Sequence, residues 1–137
     1  MTHKFRGERT LMRIFIGESD RCVEGEHRGR PLHEALLALF RERGFAGATV
    51  LRGVSGFGAS ARVHTDRILR LSLDLPIVVE VVEAEETIQQ LLPELDRIIG
   101  GGLITLERVR VILYRPADAP ETERGLHRIE GLEPEDG

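Results

Sequence analysis

The feature that most constrains the fold of this chain is the order of its hydrophobic patterns. The chain has 137 residues. In six segments the apolar residues recur with the period of a strand or of an amphipathic helix. The strand patterns cover residues 11–17, 49–54, 77–83 and 103–114, and the helix patterns cover 32–43 and 85–99. The order is therefore β, α, β, β, α, β. Pro93 falls inside the second helix pattern, where it predicts a kink or a new helix start.

This order predicts an α+β architecture, the ferredoxin-like sandwich. Two helices cover one face of a four-stranded antiparallel sheet in that fold. Right-handed crossovers then place the first and third strands at the centre of the sheet.

Three of the four strand patterns are apolar on both faces. In the first, Leu11 and Phe15 lie on one side, and Met12, Ile14 and Ile16 on the other. Burying one such side chain contributes about 1.5–3 kcal/mol, so a second exposed face would be costly. Another copy of the same sheet is the simplest cover, and we predict an obligate homo-oligomer.

Length and composition indicate one folded domain with a polar segment at each end. Residues 1–10 are expected to form a flexible leader, 11–115 the domain and 116–137 an acidic disordered tail. The formal charge is −4, and the tail's seven acids and two arginines leave the remainder near neutral. That balance, with few aromatic residues, argues against nucleic-acid binding.

The sequence also bounds the compartment. No apolar run approaches the roughly 20 residues of a membrane span, so direct membrane insertion is not expected. The first ten residues lack the apolar segment of a secretory signal. A single cysteine, Cys22, cannot form an internal disulfide, which favours a reducing, cytoplasmic location.

A glycine-rich, basic segment after the second strand predicts a small-anion site. Glycines leave backbone N–H groups open to an anion, and arginines match phosphate or carboxylate. The glycines are Gly53, Gly56 and Gly58, and the flanking arginines are Arg52, Arg62 and Arg67. The alternative interpretation is that the glycines only shape a twisted strand end. A loop of this length, continuing to residue 75, is more often functional than idle.

Other chemistry is weakly indicated. Ser60, His64 and Asp66 invite a catalytic-triad interpretation, but their tight spacing favours hydrogen-bonded turn residues, and His64 could instead donate to a ligand phosphate. The pattern Gly-x-Gly-x-x-Ala from Gly56 is not followed by a parallel βαβ unit. The histidines show no ligand pairing that would predict a metal site. Three acids at the start of the second helix are expected to form a solvated first turn and not a pair of catalytic carboxylates, namely Glu83, Glu85 and Glu86.

Several blocks of the chain carry a family resemblance. They are Arg13–Ser19, Pro31–Ala35, Gly44–Gly53, Gly56–Ser60, Ile68–Ser72 and Leu75–Pro76. Over about residues 11–114 the chain closely resembles the uncharacterised PII-like proteins of domain-of-unknown-function family 190. The resemblance implies a homotrimer like the nitrogen-regulatory PII signalling proteins, with sheets facing inward and ligand clefts between subunits.

PII proteins bind an adenine nucleotide between two glycine-rich turns, and both have counterparts here. Gly56-Phe57-Gly58 resembles the Gly-Phe-Gly at the base of the long loop. The run Gly100-Gly101-Gly102-Leu103 resembles the Gly-Asp-Gly-Lys turn, but Gly101 and Leu103 replace the aspartate and lysine. The phosphate-contacting lysine is thus absent. The cations that could compensate are Arg108, Arg110 and Arg115. A nucleotide with fewer phosphates, or another small anion, remains open beside ATP.

The leading hypothesis is a non-enzymatic signalling module that regulates a partner protein. Its expected ligand residues are Arg52, Gly53, Gly56, Phe57, Gly58, Ser60, Arg62, His64, Gly100, Gly101 and Gly102. Ordering of the basic insert at 59–75 would alter docking on the partner. The family's association with membrane ion-export proteins suggests a transporter as that partner. The alternatives are a small hydrolase of acyl or phosphoryl groups and a purely structural oligomer.

Overall fold

Two helices lie on one face of a four-stranded antiparallel sheet in the computed structural model, which describes residues 7–58 and 74–118. The elements are β1 (Gly7–Gly17), α1 (Leu32–Glu42), β2 (Thr49–Arg52), β3 (Pro76–Glu83), α2 (Glu85–Ile98) and β4 (Leu103–Val111). The strand order is β2-β3-β1-β4, so the first and third strands are central, as the sequence predicts. The predicted α+β, ferredoxin-like fold is confirmed.

The ends of the strands differ from the sequence prediction. β1 begins at Gly7, so residues 7–10 belong to the sheet and not to a flexible leader. Thr10 is buried and lies between Glu83 of β3 and Arg108 of β4 in the register. At the other end, β4 stops at Val111, three residues before the predicted end, and β2 stops at Arg52. The hydrophobic pattern does not predict the start of β1, because backbone pairing between strands does not require apolar side chains.

The hydrophobic core lies between the helices and one face of the sheet. β1 contributes Met12, Ile14 and Ile16, which alternate along the strand and are buried. The 3.6-residue period of α1 places its buried leucines and Phe40 over them. Phe40 also stacks on Phe45 just beyond the helix, with ring centroids 5.0 Å apart.

α2 runs from Glu85 to Ile98 with Pro93 inside it. The helix does not restart at the proline, so of the two alternatives predicted for Pro93, a kink or a new helix start, the second does not occur. Proline removes the hydrogen bond to the residue four positions earlier, Gln89. Gln89 lies on the exposed side of the helix, where water can reach the chain.

The opposite face of the sheet carries a continuous apolar row. Leu51 of β2 pairs with Val78 of β3, Val78 with Phe15 of β1, and Phe15 with Leu103 of β4. Paired residues in an antiparallel sheet point to the same side, so these four side chains form one band across all four strands. We call this side of the sheet the open face. No described helix covers it, which matches the prediction of two apolar faces.

Candidate functional site

The two glycine-rich segments lie at the same end of the sheet but at opposite edges. Gly53 follows β2 at one edge, and Gly102 precedes β4 at the other. β3 and β1 separate them, and three strand spacings of about 4.8 Å put the edges roughly 14 Å apart. The described residues of one chain therefore do not close a single pocket around both segments.

The first segment packs tightly against the start of β3. The backbone N–H of Gly53 donates to the carbonyl of Pro76 at 2.7 Å. A Cβ on Gly53 would stand 2.7 Å from Pro76 Cγ, and one on Gly56, whose φ is +144°, would stand 3.1 Å from the same atom. Packing against Pro76 restricts Gly53, and the positive φ restricts Gly56, so both glycines have a structural role such as the twisted strand-end alternative expects. Among the described residues, nothing lies within 4 Å of a Cβ built on Gly58.

The glycines of the second segment also differ in whether a Cβ would meet neighbouring atoms. Gly102 has φ +151°, and a Cβ there would meet the backbone oxygen of Phe15 at 2.6 Å. A Cβ on Gly100 would stand 3.0 Å from Val23 Cγ1. Gly101 meets nothing within 4 Å in the described part of the chain. Gly58 and Gly101 are therefore the candidate ligand glycines that no described packing contact explains.

The first predicted anion ligand, Arg52, already has a partner. Its Nη2 lies 2.6 Å from Glu18 Oε1 at the end of β1. The backbone N–H of Glu18 in turn donates to the carbonyl of Leu75 at 2.9 Å. The ion pair of Arg52 with Glu18 therefore connects the end of β2 to the end of β1. An anion at Arg52 would have to compete with the Glu18 carboxylate or add to it.

Two apolar side chains at this end project into solvent. Val54 is 96% exposed and Phe57 is 88% exposed. Phe57 is the predicted ligand residue between Gly56 and Gly58. Exposed apolar side chains beside a candidate site are typical of a surface that another molecule covers.

Several predicted site residues lie outside the described residues. These are Ser60, Arg62, His64, Asp66 and Arg67, which belong to the part of the basic insert at 59–73. The described part of the candidate site thus consists of Arg52 to Gly58 and Gly100 to Gly102.

The arginines of β4 lie far from the glycine turn of their own chain. Arg108 is six residues beyond Gly102 along an extended strand, which corresponds to about 20 Å. Arg108 pairs with Thr10 in the register and Arg110 with Glu8. Within one chain these cations cannot replace a lysine at the Gly100–Gly102 turn.

The acids at the start of α2 have different environments. Glu85 and Glu86 are exposed, as expected for a solvated first turn. Glu83 is buried, and its Oε1 accepts a hydrogen bond from the backbone N–H of Ala46 at 2.7 Å. The expectation that Glu83 is solvated is wrong, because this carboxylate ties the α1–β2 connection to the sheet.

A polar cluster that no sequence pattern predicts lies beside α1. The potential ligand atoms of Glu26, His27 and Glu42 all lie within 4.8 Å of one another. The histidines show no pairing in the sequence, so the sequence predicts no metal site here. His27 and Glu42 are far apart in sequence, and only the fold of the β1–α1 loop brings them together.

The architecture and the paired glycine segments define the class as a small α+β protein with a ferredoxin-like sheet. The chain belongs to the DUF190 family, described as Uncharacterized ACR, whose model matches residues 9–111. It is 37% identical over 105 residues to a UPF0166 protein of Aquifex aeolicus, covering 77% of this chain and 94% of that one. A UPF0166 protein of Methanocaldococcus jannaschii is 34% identical over 97 residues, covering 70% and 84% of the two chains.

A second UPF0166 protein of Aquifex aeolicus is 37% identical over 101 residues, covering 74% of this chain and 94% of the relative. The match to the family stops at Val111, where β4 also ends. Neither described helix has both the length and the hydrophobicity needed to cross a membrane.

Proposed function

We propose that this protein is a PII-like regulatory module that binds a small anionic metabolite between subunits of a homotrimer. The observation that carries the proposal is the position of the two glycine-rich segments. They lie at one end of the sheet and at its two opposite edges. A compact ligand that contacts both kinds of segment would therefore lie between the β2 edge of one copy and the β4 edge of another.

The exposed apolar surface supports association of copies. Leu51, Phe15 and Leu103 of the open face are each at least one-third exposed in the single chain. Contact between sheets of neighbouring copies would bury this band and would also place Val54 and Phe57 near a neighbour. An adenine nucleotide is the first ligand to test, because its ring could stack on an exposed phenylalanine.

Regulation would operate through the basic insert at 59–75. The ligand would order that segment and thereby change docking on a partner protein, without turnover of the ligand. A transporter in the membrane is one candidate partner.

The test is calorimetry of the purified protein against AMP, ADP, ATP, cyclic AMP and bicarbonate. Gly58→Val and Gly101→Val are the informative variants, because a Cβ at either position meets no described atom within 4 Å. We expect both variants to keep the fold and the oligomer while weakening the ligand at least about tenfold, which is about 1.4 kcal/mol. The proposal would be contradicted if none of the five compounds bound to the folded wild-type oligomer.

A purely structural oligomer is the second candidate. The packing of Gly53 and Gly56 on Pro76, and of Gly102 on Phe15, favours it because it accounts for these glycines without a ligand. It predicts that Gly58→Val and Gly101→Val change nothing measurable. Calorimetry with the two variants therefore separates the two candidates.

A further inference from the structure

Three potential metal ligands meet where the β1–α1 loop touches the last turn of α1. They are the carboxylates of Glu26 and Glu42 and the imidazole of His27. His27 Nε2 lies 3.5 Å from Glu42 Oε1. We propose that these three side chains bind a divalent transition-metal ion, with Zn²⁺ as the probe. The proposal is independent of the glycine-rich segments.

The donor set suits zinc. One imidazole nitrogen and two carboxylate oxygens are common zinc ligands, with bonds of about 2.0–2.2 Å. Donors around a tetrahedral ion at that bond length are about 3.4 Å apart, so the present spacing of up to 4.8 Å needs a modest contraction. Glu26 and Glu42 are exposed and can move by rotation of their side chains. Their two negative charges would balance the dication, and the fourth position would be open to water.

The state of the His27 imidazole is the second observation that points to a ligand. Its side chain is 19% exposed, and Nε2 itself is inaccessible to solvent. Within the described residues Nε2 has no hydrogen-bond partner, and its nearest charged group is the Glu42 carboxylate at 3.5 Å. A buried polar atom is costly to leave unpaired. A bound metal ion would satisfy Nε2 once the ring proton has moved to Nδ1.

The loop holds His27 in place before any ion arrives. The backbone N–H of Cys22 donates to the carbonyl of Arg30 at 2.9 Å, and that of Gly29 donates to the carbonyl of Cys22 at 2.8 Å. Gly25 and Gly29 have φ of +89° and +87°, which allow the chain to reverse on both sides of His27. A site on a closed loop loses little conformational freedom when it binds an ion.

Arg30 competes with the metal for His27. Its Nη1 lies 3.2 Å from His27 Nδ1. Because a guanidinium only donates, Nδ1 accepts and the imidazole proton of the neutral ring resides on Nε2. Coordination through Nε2 moves that proton to Nδ1, so Arg30 must turn away. Glu34, whose Oε2 is 3.9 Å from Arg30 Nη2, is its alternative partner.

The experiment is calorimetric titration of Zn²⁺ into the full chain and four variants, each checked for folding by circular dichroism. We expect His27→Gln and Glu42→Gln to weaken zinc at least about tenfold. Arg30→Gln should tighten it, because the competitor is removed. His33→Gln is the matched control, since it removes another partly buried histidine outside the cluster.

The proposal would be overturned if His27→Gln bound zinc with the same affinity as the parent. It would also be overturned if the parent bound no zinc at tens of micromolar protein. Unchanged or weaker binding by Arg30→Gln would overturn the competition step.

Discussion

Arg13 and Glu80 face each other on the open face of the sheet, with Arg13 Nε donating to Glu80 Oε2 at 2.7 Å. Arg13 Nη1 also donates to Glu107 Oε1 at 3.1 Å, so one guanidinium joins the three strands β3, β1 and β4. The hydrogen bond with Glu80 raises the pKa of Arg13 above its ordinary value. These charges are paired with one another inside a largely apolar face. Another copy can therefore cover the face without burying an unpaired charge.

Replacement of Arg13 should weaken the oligomer. In Arg13→Ala the carboxylate of Glu80 loses its partner, and covering it with another subunit becomes costly. We expect the subunit dissociation constant to rise at least about tenfold, measured by light scattering on a dilution series.

Arg97→Ala is the control, because it removes an arginine whose ion pair with Glu94 lies on the outer surface of α2. It should leave the dissociation constant unchanged. An equal effect of the two substitutions would contradict a role for Arg13 in the covered face.

Two neighbouring glycines should differ sharply in their tolerance of a side chain. Gly102→Ala places a Cβ 2.6 Å from the carbonyl oxygen of Phe15 at a positive φ, whereas Gly101→Ala meets nothing described. We expect Gly102→Ala to lower the free energy of unfolding by about 1–3 kcal/mol and Gly101→Ala to change it by less than about 0.5 kcal/mol. Urea unfolding at one fixed chain concentration measures both. Equal losses of unfolding free energy would contradict the difference in packing between Gly101 and Gly102.

The buried carboxylate of Glu83 should contribute through the hydrogen bond from Ala46. Glu83→Ala leaves that N–H without its partner and should cost about 1–3 kcal/mol of unfolding free energy. Glu83→Gln keeps an oxygen acceptor at the same place and should recover most of the loss. Denaturant unfolding of the pair tests this, and a glutamine variant as unstable as the alanine variant would contradict it.

The proline in α2 should reduce stability. Pro93→Ala restores a backbone donor and removes the clash with the preceding turn, so we expect a gain of about 1–3 kcal/mol, reduced by the greater freedom of the unfolded chain. Thermal unfolding at a fixed chain concentration measures the gain. A lower midpoint would contradict a net backbone penalty from the proline, because the ring of Pro93 is exposed and has little packing to lose.

The sequence was sufficient for the fold because periodicity and order act locally. The alternation of Met12, Ile14 and Ile16 identifies the core face of β1, and the 3.6-residue repeat identifies α1. The start of β1 was not predictable, because residues 7–10 are held by backbone pairing to β4 and their side chains are mainly polar. Thr10 gives no hydrophobic signal although it is buried.

The candidate site was predictable only in part. Glycines mark both segments, but the sequence does not distinguish a glycine that approaches Pro76 from one such as Gly58 that leaves open space. The pairing of Arg52 with Glu18 depends on two strand ends meeting at one end of the sheet. His27 and Glu42 share no helical or strand period, so only the path of the loop could reveal their proximity.

Burial of the open face by other copies is the claim on which the proposed function depends. Phe15 lies in the apolar row and is 36% exposed, and Leu37 of α1 has the same exposure on the other side of the molecule. Phe15→Glu should therefore break the oligomer, while Leu37→Glu should leave it intact.

The most direct measurement is the mass of the unmodified protein by gel filtration with light scattering at micromolar concentration. We expect a species of three times the 15.3 kDa chain mass. A single species of 15.3 kDa would contradict it.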